Sequence, residues 1–587
     1  MSSISKNILV ETLRKIKNDL PDFIRLSMIK LFPFLFITSI LEIFGLVIIF
    51  PVINILMDPT SIQTNKVLHT IYTSLQFTDQ VTFVLCLMCS ITAFFLIKNA
   101  IIYFCTKIQT RIAFRAASRL AYENYSYYLS ESYEYFADNN TALMLRNFSQ
   151  IPFELIAFVI LPFTVIINEL FILAILVIIM SFFDPILFSS ILIFALPFVF
   201  IYNLVFRKKL REISDRKNKE SSSIYKSGMQ AMEGFREIVV FNKLSYFKPR
   251  FKRTVEMYSR SLSSVYLLNI FSPKIVESVA VLCISGIFMA GYLFGKDIIA
   301  LGQFLVVFSL AAYRVIPSMN KIILSGNYIK SSFFTLDYFN KEKHMSSEMD
   351  SSSDIRSSSK ILFTNELSIK NLSFKYKNAK ETVLREIDLT LKKGETIGII
   401  GPSGSGKTTL LNILLRLYKE QEGGIYVDNQ KIDDANLYSW YQLVSYVPQN
   451  ITLLDGTIAE NIAFGMERSK VDKELLSKVI DRAQLRDLIN DLPNKTESLI
   501  GENGIKLSGG QRQRIGIARA LYHGGEILIF DEATSALDHE TERILSESIH
   551  SISHQDLTII IVAHRLETLK YCDRIYKIEK GQLLNDK

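Results

Sequence analysis

Long apolar stretches occur in the first half of the chain, before about residue 325. An α-helix needs about 20 apolar residues to cross a hydrocarbon core of about 30 Å, and six stretches reach that length. They lie at residues 31–57, 81–107, 152–183, 185–206, 275–294 and 299–323. We therefore expect six membrane-spanning helices. The first stretch is not read as a signal peptide, because it is long, starts late and is followed by no small-residue cleavage site.

The second half of the chain has a different pattern. After about residue 360, short β-type runs alternate with helical runs, and Lys, Asp and Glu are interspersed, as in an α/β domain that faces water. Residues 345–360 (MSSEMDSSSDIRSSSK) are rich in serine and nearly free of apolar side chains, which predicts a flexible linker. The expected organisation is a cytoplasmic segment 1–30, an all-α six-span membrane domain 31–344, the linker 345–360 and an α/β domain 361–587.

Composition and charge fit this division. The chain has 587 residues, of which 49% are hydrophobic and 21% charged, and its mean hydropathy is +0.23. The formal charge of +8 is compatible with a nucleic-acid partner, but the basic residues flank the apolar stretches, which favours a role in membrane orientation. Lys and Arg are concentrated before the first stretch and in the second and fourth connections. We expect a multi-pass protein of the cell inner (plasma) membrane, with the N-terminus and the α/β domain in the cytoplasm and no nucleic-acid partner.

The connections between the stretches are uneven in length. Those after the second and fourth stretches are long, charged and helix-patterned, so we expect spans two to five to continue as helices beyond the bilayer. In the first external connection, Leu68, Ile71, Tyr72 and Leu75 recur at helical spacing within residues 66–77. This segment is either an interfacial helix that touches lipid or a packed loop helix, and the sequence leaves both open.

Ionisable residues inside spans are candidates for functional sites, because a charge in hydrocarbon is costly. Glu42, Lys98, Glu169, Lys274 and Arg314 lie in or at the edge of the predicted spans. Lys98 and Lys274 could instead extend towards the interface, and Glu42 could pair with a basic neighbour. Arg314 lies well inside span six, and we expect it to line a polar cavity.

A phosphate-binding loop follows a short β-type run at residues 396–400 (TIGII) and precedes a helical run (LLNILLRLY). The loop has the spacing G-x-x-x-x-G-K-[ST], in which backbone N–H groups surround phosphate oxygens, a lysine supplies charge and a hydroxyl reaches Mg²⁺. The residues expected to bind ATP here are Gly401, Ser403, Gly404, Ser405, Gly406, Lys407, Thr408 and Thr409, with Thr408 also a Mg²⁺ ligand.

A second apolar run, residues 527–530 (ILIF), ends in Asp531 and Glu532. A carboxylate at the end of a buried strand is suited to binding Mg²⁺, and a neighbouring carboxylate is suited to accepting a proton from the attacking water. The sequence therefore predicts Asp531 as a metal ligand and Glu532 as the catalytic base of ATP hydrolysis.

Between these two motifs, Ser508, Gly509, Gly510 and Gln511 follow Leu507 and open an arginine-rich helical run. With this signature the chain closely resembles the ATP-binding-cassette family, over nearly its whole length. The resemblance implies that Tyr376 stacks on adenine, that Gln449 contacts Mg²⁺ and the attacking water, that residues 535–538 with Asp538 cross a dimer interface, and that His564 contacts the γ-phosphate. Residues 501–504 resemble an exporter loop, although Asn503 stands where many exporters have arginine.

Six spans followed by one cassette resemble an exporter-type half transporter. The signature of one cassette completes the ATP site of another, so the resemblance implies a homodimer with two hydrolytic sites. Residues 131–141 and 220–230 are then expected to carry motion from the cassettes to the spans.

The spans resemble those of bacterial flippases of lipid-linked oligosaccharides in the runs SILEIFGLVIIFPVI and AAYRVIPSMNKI. This resemblance implies that Lys98, Lys274 and Arg314 meet the diphosphate of a polyprenyl-linked glycan, and a diphosphate in a low-dielectric region does need cationic partners. The sequence is also compatible with a general exporter of lipid, drug or peptide that is driven by the same ATPase domain. A cassette that remodels a complex or gates a passive pore is a third possibility.

Overall fold

The computed structural model describes residues 8–48, 55, 62, 66–77, 79–183, 212–293, 298–336, 338, 360–377, 379–501, 504–532, 557–563 and 569–585. The chain divides into two compact units, Met1–Glu131 with Phe136–Glu348, and Ser132–Tyr135 with Met349–Lys587. Predicted span four and all of the predicted linker except Lys360 lie outside the described residues.

The first unit is built from helices. In chain order they are Ile8–Asp19, Asp22–Val47, Lys66–Ser74, Gln80–Ser130, Tyr133–Asp138 (which begins in the segment grouped with the second unit), Thr141–Ser149, Ile151–Leu155, the π-helical turn Ile156–Ile160, Leu161–Phe183, Phe235–Val240, Leu244–Leu293 and Ile298–Ser331. Residues 212–233 are also helical.

Three helical segments in the described part of the chain are long and apolar enough to cross a membrane: Asp22–Gly45, Gln80–Ser130 and Ile151–Ile178. They overlap predicted spans one, two and three, although the first begins at Asp22 and not at residue 31. Predicted spans five and six fall on the helices Leu244–Leu293 and Ile298–Ser331. The 51 residues of Gln80–Ser130 extend for about 76 Å at 1.5 Å per residue, more than twice the hydrocarbon thickness. The expected helical extension is therefore present for span two.

The segment after span one forms the helix Lys66–Ser74. Its Leu68 is buried in a cluster with Phe83, and the Tyr72 ring meets Phe83 edge-on at 5.1 Å between centroids. Ile71 and Leu75 are exposed. One face of the helix is thus packed and the other presents apolar side chains, so the structure contains features of both alternatives for this segment.

The second unit contains two sheets. We number its strands β1 (Glu366–Phe374), β2 (Leu384–Lys392), β3 (Thr396–Ile400), β4 (Glu422–Val427), β5 (Gln430–Lys431), β6 (Val444–Val447), β7 (Ile527–Asp531), β8 (Thr558–Val562), β9 (Arg574–Glu579) and β10 (Gln582–Asn585). An antiparallel sheet has the order β2-β1-β4-β5, and a six-stranded sheet has the order β10-β9-β3-β8-β7-β6. In the larger sheet, β9, β3, β8, β7 and β6 are parallel.

Helices cover these sheets. Their bounds are Lys407–Leu414, Leu437–Leu443, Ile458–Ile462, Lys473–Arg482, Arg486–Asp491 and Gly509–His523, with 3₁₀ turns at Arg468–Lys470 and Lys495–Glu497. Strands β7 and β8 are buried along their whole length, as expected for parallel strands covered on both faces. Because β3 and β7 both pair in parallel with β8, their carboxyl ends lie at the same edge of the sheet. That edge carries the motifs predicted from the sequence.

A tight turn joins β4 to β5 and anchors the start of β1. Asp428 and Asn429 both have positive φ angles, +47° and +67°, as a two-residue type I′ hairpin requires. The Asp428 carboxylate accepts hydrogen bonds from the backbone N–H groups of Thr364 (2.5 Å), Asn365 (2.8 Å) and Glu366 (2.8 Å). Desolvation raises the pKa of Asp428, but a hydrogen bond from the Thr364 hydroxyl at 2.6 Å and these three backbone bonds outweigh it and lower the pKa to about 2. The ionised carboxylate therefore stabilises the antiparallel sheet.

We expect Asp428→Asn to lower the free energy of unfolding by about 1 kcal/mol at pH 7, since charge-assisted bonds become neutral ones at a partly exposed site. The folded-state pKa lies below the ordinary value of 3.8, so this stabilisation is present above that pH and is lost as the pH falls towards about 2. The difference between the variant and the wild type should shrink over that range. Trp440, the single tryptophan of the chain, is fully buried in this unit, so its fluorescence during denaturant unfolding reports the change. A difference that persists unchanged at pH 2 would contradict this assignment.

Candidate functional site

The phosphate loop has the predicted strand-loop-helix geometry. It runs from the end of β3 to the helix Lys407–Leu414, with Gly406 at the N-cap in a left-handed conformation (φ +111°). A Cβ atom at Gly406 would approach Leu384 Cδ2 to 2.7 Å. At Gly401 a Cβ atom would collide with the carbonyl oxygen of Ile578 and come within 2.7 Å of Ser405 Oγ. Glycine is thus required at both ends of the loop, and the helix directs its N–H groups at the loop.

Lys407 lies inside the loop that it follows. Its Nζ donates hydrogen bonds to the carbonyl oxygens of Gly401 (2.9 Å) and Pro402 (3.1 Å). Burial lowers the pKa of Lys407, and the carboxylates of Glu532 and Asp531 act against that shift. The ammonium group is therefore held where the loop would enclose a phosphate, and a phosphate oxygen is a stronger partner than a carbonyl oxygen.

The two predicted carboxylates occupy the end of β7 with different surroundings. Asp531 is buried, and burial followed by repulsion from Glu532 raises its pKa, while Tyr446 and Lys407 lower it. Glu532 has a positive φ of +45°, and its backbone N–H bonds to the Val562 carbonyl at 2.9 Å. The backbone turn at Glu532 therefore places the adjacent carboxylates of Asp531 and Glu532 in different positions at the end of β7.

Gln449 lies against the predicted catalytic base. Its Nε2 donates a hydrogen bond to Glu532 Oε2 at 2.8 Å. Gln449 follows β6, which pairs with β7, and this pairing brings the two residues together although 83 positions separate them. The proximity of Gln449 and Glu532 agrees with their expected shared role around the attacking water.

Mg²⁺ fits this edge of the sheet. Burial and then repulsion from the neighbouring Glu532 carboxylate raise the pKa of Asp531, and a divalent cation would relieve that repulsion. Among the described residues no group of three His, Cys, Asp or Glu side chains forms a metal site. That is compatible with Mg²⁺, which is commonly held by one or two carboxylates together with substrate phosphates. Asp531, Thr408 and Gln449 are the residues that would hold it.

Tyr446 was not predicted from the sequence. Its hydroxyl donates to Asp531 Oδ2 at 3.3 Å, and burial together with Asp531 raises its own pKa. Tyr446 lies on β6 opposite Ile529 of β7 in the sheet register. The alternation of side chains on β6 marks Tyr446 as facing one side of the sheet, but only the pairing of β6 with β7 shows that Asp531 is its neighbour.

Tyr376 is fixed beside the phosphate loop. Its hydroxyl is 2.9 Å from Thr409 Oγ1, on the helix that follows the loop. The ring makes edge-on contacts with Phe374 at 5.0 Å and with Tyr418 at 5.3 Å. An aromatic ring held in this way is suited to stacking on a purine base.

The signature begins the helix Gly509–His523 as predicted. Ser508 is the N-cap in a capping box: its hydroxyl accepts from Gln511 N–H, and Gln511 Oε1 accepts from Ser508 N–H. Farther along, the Arg519 side chain donates to the carbonyl oxygens of Asn461 (2.9 Å) and Thr452 (3.0 Å). Because Ser508 caps the N-terminus, the positive end of the helix dipole lies at the Ser508–Gly510 turn. Asp538, His564 and Asn503 lie outside the described residues, so their roles remain predictions.

In the first unit, four of the five predicted intramembrane charges form one cluster. Glu42 Oε2 pairs with Lys98 Nζ at 3.2 Å and with Arg314 Nη1 at 3.6 Å. Arg314 Nη2 lies 3.5 Å from Glu169 Oε2. Spans one, two, three and six are therefore linked through their charged side chains, and Arg314 is paired between two carboxylates.

Two residues not singled out in the sequence complete this cluster. Glu169 accepts hydrogen bonds from Ser318 Oγ and Lys321 Nζ, each at 2.7 Å. Ser318 and Lys321 lie four and seven positions after Arg314, on the same face of the helix. This spacing is the sequence feature that could have predicted their place beside Arg314. Lys274 instead pairs with Glu277 of its own helix at 2.9 Å and is 68% exposed. The structure thus joins Lys98 and Arg314 through Glu42 and does not place Lys274 among these ion pairs.

Comparisons with known proteins agree with both units. Residues 28–317 match the ABC transporter transmembrane region, and residues 384–535 match the ABC transporter family model. The chain is 31% identical over 409 residues to the ATP-dependent lipid A-core flippase of Francisella tularensis subsp. tularensis (strain SCHU S4 / Schu 4). The aligned region covers 68% of this chain and 64% of that protein. The match to the protein of the same name from Pseudoalteromonas atlantica is 31% identical and covers 68% and 67%.

A solved structure has a similar fold. A bacterial Atm1-family ABC exporter with ATP bound superposes with a TM-score of 0.71 at 21% sequence identity, covering 93% of this chain and 94% of the other. This likeness concerns the fold alone. Together with the two family matches, it confirms the expected fold class, a helical domain of the ABC exporter type followed by an α/β domain of the ABC type.

We expect Tyr446→Phe to weaken the apparent Mg²⁺ affinity of ATP hydrolysis about fivefold, the equivalent of about 1 kcal/mol, because the hydrogen bond that it removes is long, at 3.3 Å. Loss of that bond also raises the pKa of Asp531 further, so the acid limb of the pH profile should move to higher pH. Mg²⁺ titrations of ATPase activity between pH 5 and 8 measure both effects. Tyr438→Phe, at a side chain that is 49% exposed in the same domain, is the matched control. Superimposable titrations for Tyr446→Phe and wild type at every pH would rule out a role for this hydroxyl.

Proposed function

The chain belongs to the ABC transporter family as an exporter-type half transporter, and from that premise we propose that it uses ATP hydrolysis to move an anionic lipid across a bacterial inner membrane. The observation that carries the proposal is the combination of a phosphate-loop edge in the α/β domain with a buried charge cluster within the spans. The first supplies the energy, and the second is where a charged head group would meet cations.

Hydrolysis is assigned to the residues at the end of β3 and β7. The loop 401–406 and Lys407 bind the phosphates, and Tyr376 stacks on the adenine. Glu532 accepts a proton from the attacking water, which Gln449 orients through the hydrogen bond between their side chains. Mg²⁺, when bound, neutralises developing charge on the phosphate oxygens. His564 and Asp538 complete this set by the family resemblance.

Two copies of the chain form the working transporter in this proposal. Ser508 and Gly510 present the positive end of a capped helix, and in the family such a signature completes the partner's ATP site. A homodimer follows if both sites are built from one sequence. Residues 131–141 and 220–230 are the segments that would couple cassette closure to the spans, and the excess of Lys and Arg in these connections supports a cytoplasmic location for them.

The proposed substrate is a polyprenyl-diphosphate-linked oligosaccharide destined for glycoprotein or surface-glycan synthesis. Lys98 and Arg314 lie in predicted spans two and six, and both are buried, so they are suited to an anion that must cross a low-dielectric region. Lys274, being exposed, is proposed to contact the head group outside the cluster. The curated relatives are named lipid A-core flippases, which supports a lipid substrate for this chain. The alternative is a general exporter of lipid, drug or peptide.

Reconstitution tests this function. Proteoliposomes with a fluorescent polyprenyl-diphosphate glycan on the ATPase-facing leaflet should show ATP-dependent accessibility of the glycan on the opposite side. Glu532→Gln should lower both hydrolysis and translocation by at least about a hundredfold, because the general base is removed. Glu526→Gln is the matched control, since Glu526 pairs with Lys393 at the surface of the same domain. An immobile glycan together with ATPase stimulation by drugs or other lipids would replace this substrate with the alternative. Undiminished movement in Glu532→Gln would exclude a pump.

A second prediction concerns the cluster. Arg314→Gln should lower translocation at least tenfold while basal ATP hydrolysis changes less than twofold, because the residue lies in the membrane unit and not at the phosphate loop. Lys252→Gln, at a side chain that is 77% exposed, controls for loss of a positive charge. Arg314→Lys keeps the charge and should retain part of the transport. If all Arg314 variants fail to assemble, as judged by size-exclusion chromatography and ATPase activity, Arg314 has a structural role.

A further inference from the structure

The two carboxylates of the intramembrane cluster have unequal surroundings. The Glu169 side chain is 2% exposed and has three partners, Ser318, Lys321 and Arg314. The Glu42 side chain is 26% exposed, and its ion pairs in the described part of the chain, to Lys98 and Arg314, are longer, at 3.2 and 3.6 Å. Glu169 is firmly bound on all sides, whereas Glu42 is loosely bound and accessible.

Arg314 retains donor capacity despite its two ion pairs. Its Nε and Nη2 atoms are buried and have no hydrogen-bond partner among the described residues, since the 3.5 Å approach to Glu169 is not a hydrogen bond. Leaving guanidinium donors unsatisfied is costly in a buried site. The cluster would gain from an additional acceptor near Arg314.

Lys98 is held in place independently of Glu42. Its ammonium lies 4.6 Å from the centroid of the Phe95 ring, and it is packed closely enough against span one that a Cβ atom at Gly45 would come within 3.1 Å of Nζ. Loss of the Glu42 contact would therefore leave Lys98 near its present position. Glu42 lies eleven residues into predicted span one and three residues before the end of the membrane-length segment Asp22–Gly45, so both sets of bounds include it.

We propose that Glu42 is an exchangeable counter-ion that occupies Lys98 and Arg314 until the phosphate group of the transported lipid displaces it. Glu169 is a positioning residue: with Lys321 and Ser318 it keeps Arg314 in place during the exchange. The charges agree with this division, since Lys98 and Arg314 share one accessible carboxylate, while Glu169 and Lys321 balance each other. The inference rests on the proposed function in one respect, that the substrate carries a phosphate.

Such a counter-ion has a physical purpose. Without it, Lys98 would lose its ion pair in the described part of the chain, and Arg314 would keep only the 3.5 Å approach to Glu169, in a low-dielectric region where a poorly paired charge is strongly unfavourable. With it, the substrate must compete against an internal carboxylate, which keeps binding reversible. Removal of the Glu42 charge should therefore strengthen the binding of a phosphate-bearing lipid.

The test measures the affinity of farnesyl diphosphate, which carries no glycan, for the full-length protein in lipid nanodiscs. All variants are made in a Lys407→Ala background, so that the phosphate loop does not contribute to binding. Glu42→Gln should bind farnesyl diphosphate at least tenfold more tightly than its parent, since close charge pairs commonly couple at that level or above. Glu42→Asp, which keeps the charge, should stay within threefold of the parent. Glu169→Gln should bind more weakly, and the neutral farnesol should bind all of these proteins equally.

Unchanged or weaker binding by a correctly assembled Glu42→Gln would overturn the proposal, as would equal tightening of farnesol binding. Absence of any diphosphate binding to the parent and to Glu42→Gln would overturn it as well. Failure of the proposed function is distinguishable. If the glycan lipid is not translocated but Glu42→Gln still tightens diphosphate binding, the exchange site stands and the substrate is a different phosphate-bearing lipid.

Discussion

A charged group removed from water must be given a partner, and this constraint governs both sites of the protein. In the membrane unit, Arg314 is held between Glu42 and Glu169, and the resulting ion pairs link four spans. In the α/β unit, Lys407 is enclosed by a loop whose carbonyl oxygens accept hydrogen bonds from its ammonium group. In each case the partners of a buried cation are neutral oxygens or a shared carboxylate. A phosphate group would form stronger hydrogen bonds with that cation than these partners do. Each site thus holds a buried cation that a phosphate group would stabilise, as the proposed function requires.

The fold supplies the positions of these groups in different ways. In the α/β unit, parallel pairing of β3, β8 and β7 brings the phosphate loop and Asp531 to one edge of a sheet that is buried on both faces. A rigid sheet fixes the distance between the two motifs. In the membrane unit, helices placed side by side bring residues that are far apart in the chain, such as Glu42 and Arg314, within ion-pair distance. Helices move relative to one another more readily than strands within a sheet do, which suits the ligand release that the proposed function requires.

The sequence predicted those features that depend on a short, contiguous run of residues. The strand-loop-helix around Lys407, the strand ending at Asp531 and the helix after Ser508 each depend on a short run of residues, and the structure has all three. Pairing across elements could not be predicted in the same way. Tyr446 reaches Asp531 only because β6 pairs with β7, and Arg314 faces Glu42 and Glu169 only because spans one, three and six are neighbours. The sequence identified Arg314 as an unusual charge and favoured a cavity for it, whereas its ion-pair partners became visible only in the folded chain.

The central claim is that phosphate replaces Glu42 at Arg314. An experimental structure of the full-length protein with a bound polyprenyl diphosphate lipid tests it most directly. We expect phosphate oxygens within about 2.7–3.2 Å of Arg314 and Lys98, the Glu42 carboxylate moved away from both, and the contacts of Glu169 with Lys321 and Ser318 retained. A head group bound elsewhere, with Glu42 still paired to Lys98 and Arg314, would contradict the claim.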